Sequence, residues 1–140
     1  MSLSELRKEI DSIDQQILEL LSRRASVVQE VGHTKSRENT HYFTPEREFN
    51  IFQRLTSSNP GPLDSAAIRA IYIEILSACR ALEKPLAVSF LGPEGTFSHL
   101  ASIARFGRSA DFRPVESITE VFSAVERNLA DYGVVPVENS

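Results

Sequence analysis

The first 37 residues carry one long amphipathic pattern. A capping box formed by Ser2 and Glu5 opens it, and Arg24 occupies a core position of its heptad repeat. The pattern predicts a single helix that continues through Gly32 to about residue 37; the alternative is a break at Gly32, after which the chain folds back. The apolar positions of the predicted helix are Leu3, Leu6, Ile10, Ile13, Ile17, Leu20, Val27 and Val31.

Two shorter helices are predicted before residue 85. Thr44 is a good N-cap and Pro45 suits the first helical position, so the second helix begins there. It ends at the turn-rich stretch 57–62. Asp64 is the expected N-cap of the third helix, and Pro85 ends that helix. Residues 1–85 are therefore predicted to form an all-α domain of three helices.

Beyond residue 85, short β-branched runs alternate with helical stretches, and glycines appear. This alternation predicts the order βαβαβ, with a second capping box at Ser117 and Glu120 opening the last helix. The predicted strands span 86–91, 112–115 and 132–137, and the predicted helices span 96–106 and 117–129. Residues 86–140 are therefore predicted to be a separate α/β segment.

Composition limits the classes of function. The 140 residues include 15 Lys and Arg against 19 Asp and Glu, a net charge of −4, which disfavours a broad basic face for nucleic acid. Cys79 is the single cysteine, so no internal disulfide is possible and a cytoplasmic location is expected. The three scattered histidines predict no metal site. No apolar run approaches the ~20 residues of a membrane span, and the charged N-terminus is unlike a signal peptide.

The long helix predicts a dimer. About 35 helical residues span about 50 Å, whereas a compact domain of some 85 residues has a radius of gyration of about 12 Å. The helix would overhang its own domain with an apolar seam along its whole length. A second copy of the chain is the simplest cover for that seam.

Cations interrupt the apolar face of this helix. Arg24 occupies a core position, and Arg7 and Lys35 lie on the flanking line. A buried cation is costly unless it is paired. One interpretation is purely structural: the side chains form salt bridges to Glu48 or Asp14, or extend their charged ends to solvent.

The other interpretation is an anion pocket inside a helical bundle. The first turn of the second helix offers Arg47 and Glu48, so Arg24, Lys35 and Arg47 can define a pocket that suits a small dicarboxylate. Arg7 and Arg24 are 17 residues apart, or about 25 Å of helix. Arg7 would therefore have to come from the partner in an antiparallel dimer.

Two sets of motifs resemble known families. The helical part contains LRKEIDSIDQQILELLSRRASVVQEVGHTK followed by FTPERE, and it resembles the all-helical type of chorismate mutase. The second part contains SFLGPEGTFSH, SITEVFSAVE and DYGVVPVENS, and it resembles the start of a prephenate dehydratase. Together they resemble the family of bifunctional chorismate mutase–prephenate dehydratases of phenylalanine biosynthesis.

The resemblance implies an intertwined homodimer of three-helix chains with two active sites shared between the chains. It implies conversion of chorismate to prephenate without a cofactor. In that family the residue at the position of Arg7 is supplied by the partner chain and binds a carboxylate of the substrate. The residues at the positions of Arg24 and Arg47 contact the substrate's carboxylates and the pocket wall. Lys35 matches the cation on the breaking ether oxygen, and Glu48 matches the acid that receives the substrate hydroxyl.

Three further positions follow from the same resemblance. Cys79 stands where family members often carry a small polar residue near a carboxylate. Glu83 stands where a side-chain donor meets the ether oxygen from the other side. Thr44 stands where some members have an aspartate in contact with the substrate. The residues implied in catalysis are Lys35, Glu83 and Arg24.

The dehydratase resemblance implies only the beginning of a two-lobed α/β domain. Residues 86–140 are therefore expected to be an incomplete fragment of that domain without dehydratase activity. Chorismate mutase is the leading hypothesis for the chain. A non-catalytic dimerisation module with a vestigial mutase site and a nucleic-acid- or protein-binding helical hairpin are the alternatives, and the acidic pI of 5.4 disfavours nucleic acid.

Overall fold

A computed structural model describes residues 1–37, without the side chains of 35–37, and residues 44–137. The chain divides into two compact units, Met1–Thr40 and His41–Ser140. In chain order the elements are α1 (Leu3–Arg37), α2 (Pro45–Ser57), α3 (Ser65–Glu83), β1 (Ala87–Leu91), α4 (Phe97–Phe106), β2 (Asp111–Val115), α5 (Ile118–Glu126) and β3 (Tyr132–Val134).

The first unit is built on α1, a single helix of 35 residues. The predicted capping box forms at the N-terminus of α1. Ser2 N–H donates to Glu5 Oε2 at 2.9 Å, and Glu5 N–H donates to Ser2 Oγ at 3.1 Å. The helix continues through Gly32, so the prediction of an unbroken helix is confirmed. Its apolar seam is largely exposed, at Leu6 43%, Ile10 55%, Ile13 47%, Ile17 49%, Leu20 59%, Val27 57% and Val31 47%.

In the second unit, α2 and α3 pack through a small apolar core. The Asp64 side chain accepts a hydrogen bond from Ala67 N–H at 2.8 Å, which satisfies one of the first amides of α3. Ile51 and Phe52 of α2 are buried against Leu76 of α3. The two predicted helices therefore form as the sequence indicated. No helix among the described residues is long and apolar enough to cross a membrane.

A parallel three-stranded sheet follows, in the strand order β2-β1-β3. The central strand β1 is buried on both faces, because Val88 and Phe90 on one face are 0% exposed and Ser89 on the other face is 1% exposed, as expected of a strand with parallel neighbours and helical cover. Val88 packs in a second core with Leu86 and Phe106. The predicted order βαβαβ is confirmed.

The last two elements are shorter than predicted. We expected a helix to 129, but α5 ends at Glu126 and Asn128 adopts φ 59°, a left-handed conformation that asparagine tolerates and a helix does not continue through. We expected a strand to 137, but β3 ends at Val134. Pro136 lies beyond it, and proline has no N–H to donate to a strand neighbour.

Candidate active site

Three of the predicted site residues lie on α1. Arg7 is exposed and Arg24 is half-buried, while the side chain of Lys35 lies outside the described residues. Arg7 and Arg24 are 17 positions apart on one continuous helix, or about 25 Å, so one copy of α1 does not bring both to one small ligand. The convergence of these cations with residues of α2 and α3 stays a prediction.

Thr44, Arg47 and Glu48 lie at the start of α2. Thr44 is the N-cap residue, and its carbonyl accepts a hydrogen bond from Glu48 N–H at 3.2 Å. Arg47 is exposed, whereas the side chain of Glu48 is only 13% exposed. Glu48 belongs to the first helical turn, where the partial positive charge of the helix N-terminus stabilises a carboxylate.

Cys79 and Glu83 lie near the end of α3. They are four residues apart in one helix, so they lie on the same face. Cys79 is 7% exposed, and Glu83, the last residue of α3, is half-buried. This face of α3 therefore passes from a buried thiol to a more exposed carboxylate at the end of the helix.

The structure adds Arg80, which sequence reasoning missed. Its Nη1 group donates to Glu48 Oε2 in an ion pair, and its Nη2 group donates to the carbonyl oxygen of Phe106 at 3.0 Å. The Arg80 side chain is 12% exposed. Two charges removed this far from water need each other as partners, because an unpaired buried charge is strongly destabilising.

A signal for Arg80 exists in the sequence. Arg80 lies four residues after Leu76 and seven after Ile73, on the stripe that packs against α2. A cation in an apolar stripe is the same criterion that selected Arg24 on α1. Its two acceptors, on α2 and at the end of α4, have no local sequence signature, so the pairing itself required the structure.

Tyr132 packs against Phe106, whose carbonyl oxygen Arg80 binds. Its ring is 5.4 Å from that of Phe106 between centroids. Burial raises the pKa of the Tyr132 phenol above its ordinary value; the charges of Arg105 and Arg80 lower the pKa, and those of Asp131 and Glu48 raise it. The phenol is therefore neutral at neutral pH.

Both parts of the chain match known families. The family model described as chorismate mutase type II matches residues 6–84, more than half of the chain. The chain belongs to the type II chorismate mutase family. The prephenate dehydratase model matches residues 88–140. The resemblance inferred from the motifs is thus confirmed for both parts of the chain.

Curated relatives share both parts. The chain is 47% identical to the bifunctional chorismate mutase/prephenate dehydratase of Aquifex aeolicus and 44% identical to that of Stutzerimonas stutzeri, and in each case the match covers 99% of this chain and 39% of the relative. The chain thus spans about two fifths of the length of these relatives.

A solved structure matches the helical part. Chorismate mutase (form II) from Thermus thermophilus is 38% identical, with a TM-score of 0.58 over 59% of this chain and 93% of that chain. Form I of the same protein gives a TM-score of 0.54 over 55% of this chain and 96% of that chain. The fold class, a chorismate mutase helical part followed by a small α/β part, is confirmed. The eight site residues and the domain limits 1–85 and 86–140 stay predictions.

Proposed function

We propose that the chain is a chorismate mutase, an isomerase that rearranges chorismate to prephenate in phenylalanine biosynthesis. The observation that carries the proposal is the match of residues 6–84 to the type II chorismate mutase family, together with the likeness to a solved chorismate mutase over 96% of that protein's length.

The proposed catalytic domain is residues 1–85. Residues 86–140 are proposed to be the N-terminal part of a prephenate dehydratase domain, and no dehydratase activity is proposed for this chain. A cytoplasmic location is part of the proposal.

The reaction is a unimolecular pericyclic rearrangement, so the protein contributes orientation and electrostatics. It must hold a compact conformer of the substrate, and it must stabilise the negative charge that grows on the ether oxygen. We assign the substrate carboxylates to Arg24 and Arg47. We assign the ether oxygen to Lys35 on one side and to Glu83, in its protonated form, on the other.

The remaining assigned residues complete the pocket. Glu48 accepts a hydrogen bond from the substrate hydroxyl. Its low exposure and its ion pair with Arg80 suit a group that must be oriented before the substrate binds. Cys79, buried on α3, contributes a small side chain near a carboxylate. Thr44, the N-cap residue of α2, lies four residues before Glu48 and offers a hydroxyl where some family members have an aspartate.

The active form is proposed to be a homodimer with active sites shared between the chains. The exposed apolar seam of α1 supports it, because Ile10, Ile13 and Ile17 are each about half exposed and an isolated monomer rarely presents so long an apolar stripe. In an antiparallel pair, Arg7 of one chain reaches the site that contains Arg24 of the other.

The experiment that tests the function is the ultraviolet assay of chorismate loss, with chromatographic identification of the product. Prephenate formed in proportion to protein concentration, above the spontaneous rate, supports the proposal. Tight binding of a chorismate-like transition-state analogue without turnover would instead favour a non-catalytic module with a vestigial site. Loss of chorismate at the spontaneous rate with no binding would refute both.

A further inference from the structure

One face of α3 docks on the segment that ends α4. The Glu74 carboxylate accepts the Arg108 N–H at 3.2 and 3.1 Å, and the Ser77 hydroxyl accepts the Ser109 N–H at 3.2 Å. Ser77 is 2% exposed. With Arg80, these side chains follow one another at intervals of three residues, so they are neighbours on the helix surface. The third helix is thus tied to the first helix of the α/β part.

Arg80 is the member of this face that also reaches α2. A guanidinium presents its N–H donors in a rigid plane, so two acceptors can be held in a fixed mutual geometry. Here one acceptor is Glu48 of α2 and the other is the carbonyl of Phe106. Phe106 is the last residue of α4, and the carbonyls of a last helical turn lack intrahelical partners and carry partial negative charge. Both acceptors therefore favour a cation between them.

We propose that Arg80 is a positioning residue for Glu48, and that the carboxyl end of α4 in turn holds Arg80. The α/β part thereby supports the geometry of the mutase site. This inference rests on the proposed function, in which Glu48 receives the substrate hydroxyl. A carboxylate accepts about four hydrogen bonds through its two oxygens, so a Glu48 held by Arg80 retains the capacity to bind that hydroxyl.

The physical benefit is preorganisation. A glutamate side chain has several rotatable bonds, and ordering them when the substrate binds weakens binding. The ion pair orders Glu48 beforehand. A hydroxyl contact of this kind exists in the bound substrate and in the transition state alike, so its loss raises KM and leaves kcat nearly unchanged.

The test compares Arg80→Met with the wild-type chain in steady-state kinetics. We expect KM for chorismate to rise by about tenfold, the scale of one hydrogen bond to a charged group, with kcat within about threefold. Arg80→Lys keeps the positive charge but lacks the planar guanidinium, so its KM should lie between those of the wild type and Arg80→Met. In a Glu48→Ala background, Arg80→Met should add little further loss, because a positioning residue has no effect once its target is gone.

Glu74→Gln is the matched control. It alters the same docking face six residues away from Arg80, and it should leave KM within about twofold. An unchanged KM in a folded, active Arg80→Met chain would overturn the proposal, and so would a full additional loss in the Glu48→Ala background. If the wild-type chain is inactive, the proposed function fails, and the ion pair is still tested by a double-mutant cycle of Arg80→Met and Glu48→Gln in urea unfolding. No coupling in that cycle would refute the pairing itself.

Discussion

Replacing Gly107 by alanine should destabilise the chain through two separable effects. Gly107 follows α4 with φ 78° and ψ 169°, a region that is essentially restricted to glycine and costs other residues on the order of 1–3 kcal/mol. A Cβ added there would lie 2.3 Å from the Cβ and 2.6 Å from the Oγ of Ser77. Ser77 belongs to the docking face of α3, so the clash would push α3 away from the end of α4.

The expected loss is about 2–6 kcal/mol, because overpacking a close contact adds on the order of 1–3 kcal/mol to the backbone strain. Gly95→Ala is the matched control: Gly95 has φ 85°, and nothing lies within 4 Å of the position that its Cβ would take, so the backbone strain alone should cost about 1–3 kcal/mol. Both variants are measured by urea unfolding at the same protein concentration, since dimerisation would make stability concentration-dependent. Equal losses in the two variants would refute the assignment of the clash to Ser77.

Three further predictions follow from the proposed site and assembly. Arg24→Ala and Lys35→Ala should each lower kcat/KM for chorismate by a factor of at least about 10², the scale of one lost preorganised donor. Wild-type kcat/KM in these variants would show that the two cations have only a structural role. Sedimentation should show a dimer at micromolar concentration, and Ile13→Asp, which places a charge in the apolar seam, should shift it towards monomer; a monomeric wild type would contradict the dimer. Because burial raises the pKa of Tyr132, the folded chain holds the phenolic proton more strongly than the unfolded chain. The resulting stability is present below about pH 10 and is lost as the pH rises through the folded-state pKa. The unfolding free energy of Tyr132→Phe should therefore fall less than that of the wild type as the pH is raised through this range. An equal fall in the two proteins would refute the prediction.

Local sequence patterns predicted the elements with strong periodicity or clear caps. The unbroken α1 followed from the 3–4 spacing of its apolar residues, and the starts of α2, α3 and α5 followed from Pro45, Asp64 and Ser117. The ends were less predictable. The left-handed Asn128 ends α5 early. Asparagine tolerates this conformation but does not require it, so its presence in the sequence does not predict the end of a helix.

The candidate site was predictable in its residue types but not in its pairings. A resemblance of motifs selected Glu48, and the structure gave it a partner 32 residues away on α3. Nothing in the local pattern around either residue encodes that contact, because it depends on how α2, α3 and the end of α4 pack. The same is true of Gly107, whose need for glycine arises from the approach of Ser77 across the α3–α4 contact.

The central claim is that the chain is a chorismate mutase whose active sites combine residues of two chains. The most direct measurement mixes Arg7→Ala and Arg24→Ala, each nearly inactive alone, and follows chorismate loss after subunit exchange confirmed by mass-tagged chains. Half of the dimers are then hybrids, and each hybrid has one site free of both substitutions, so about a quarter of wild-type activity should return. No recovery after verified exchange would contradict the account.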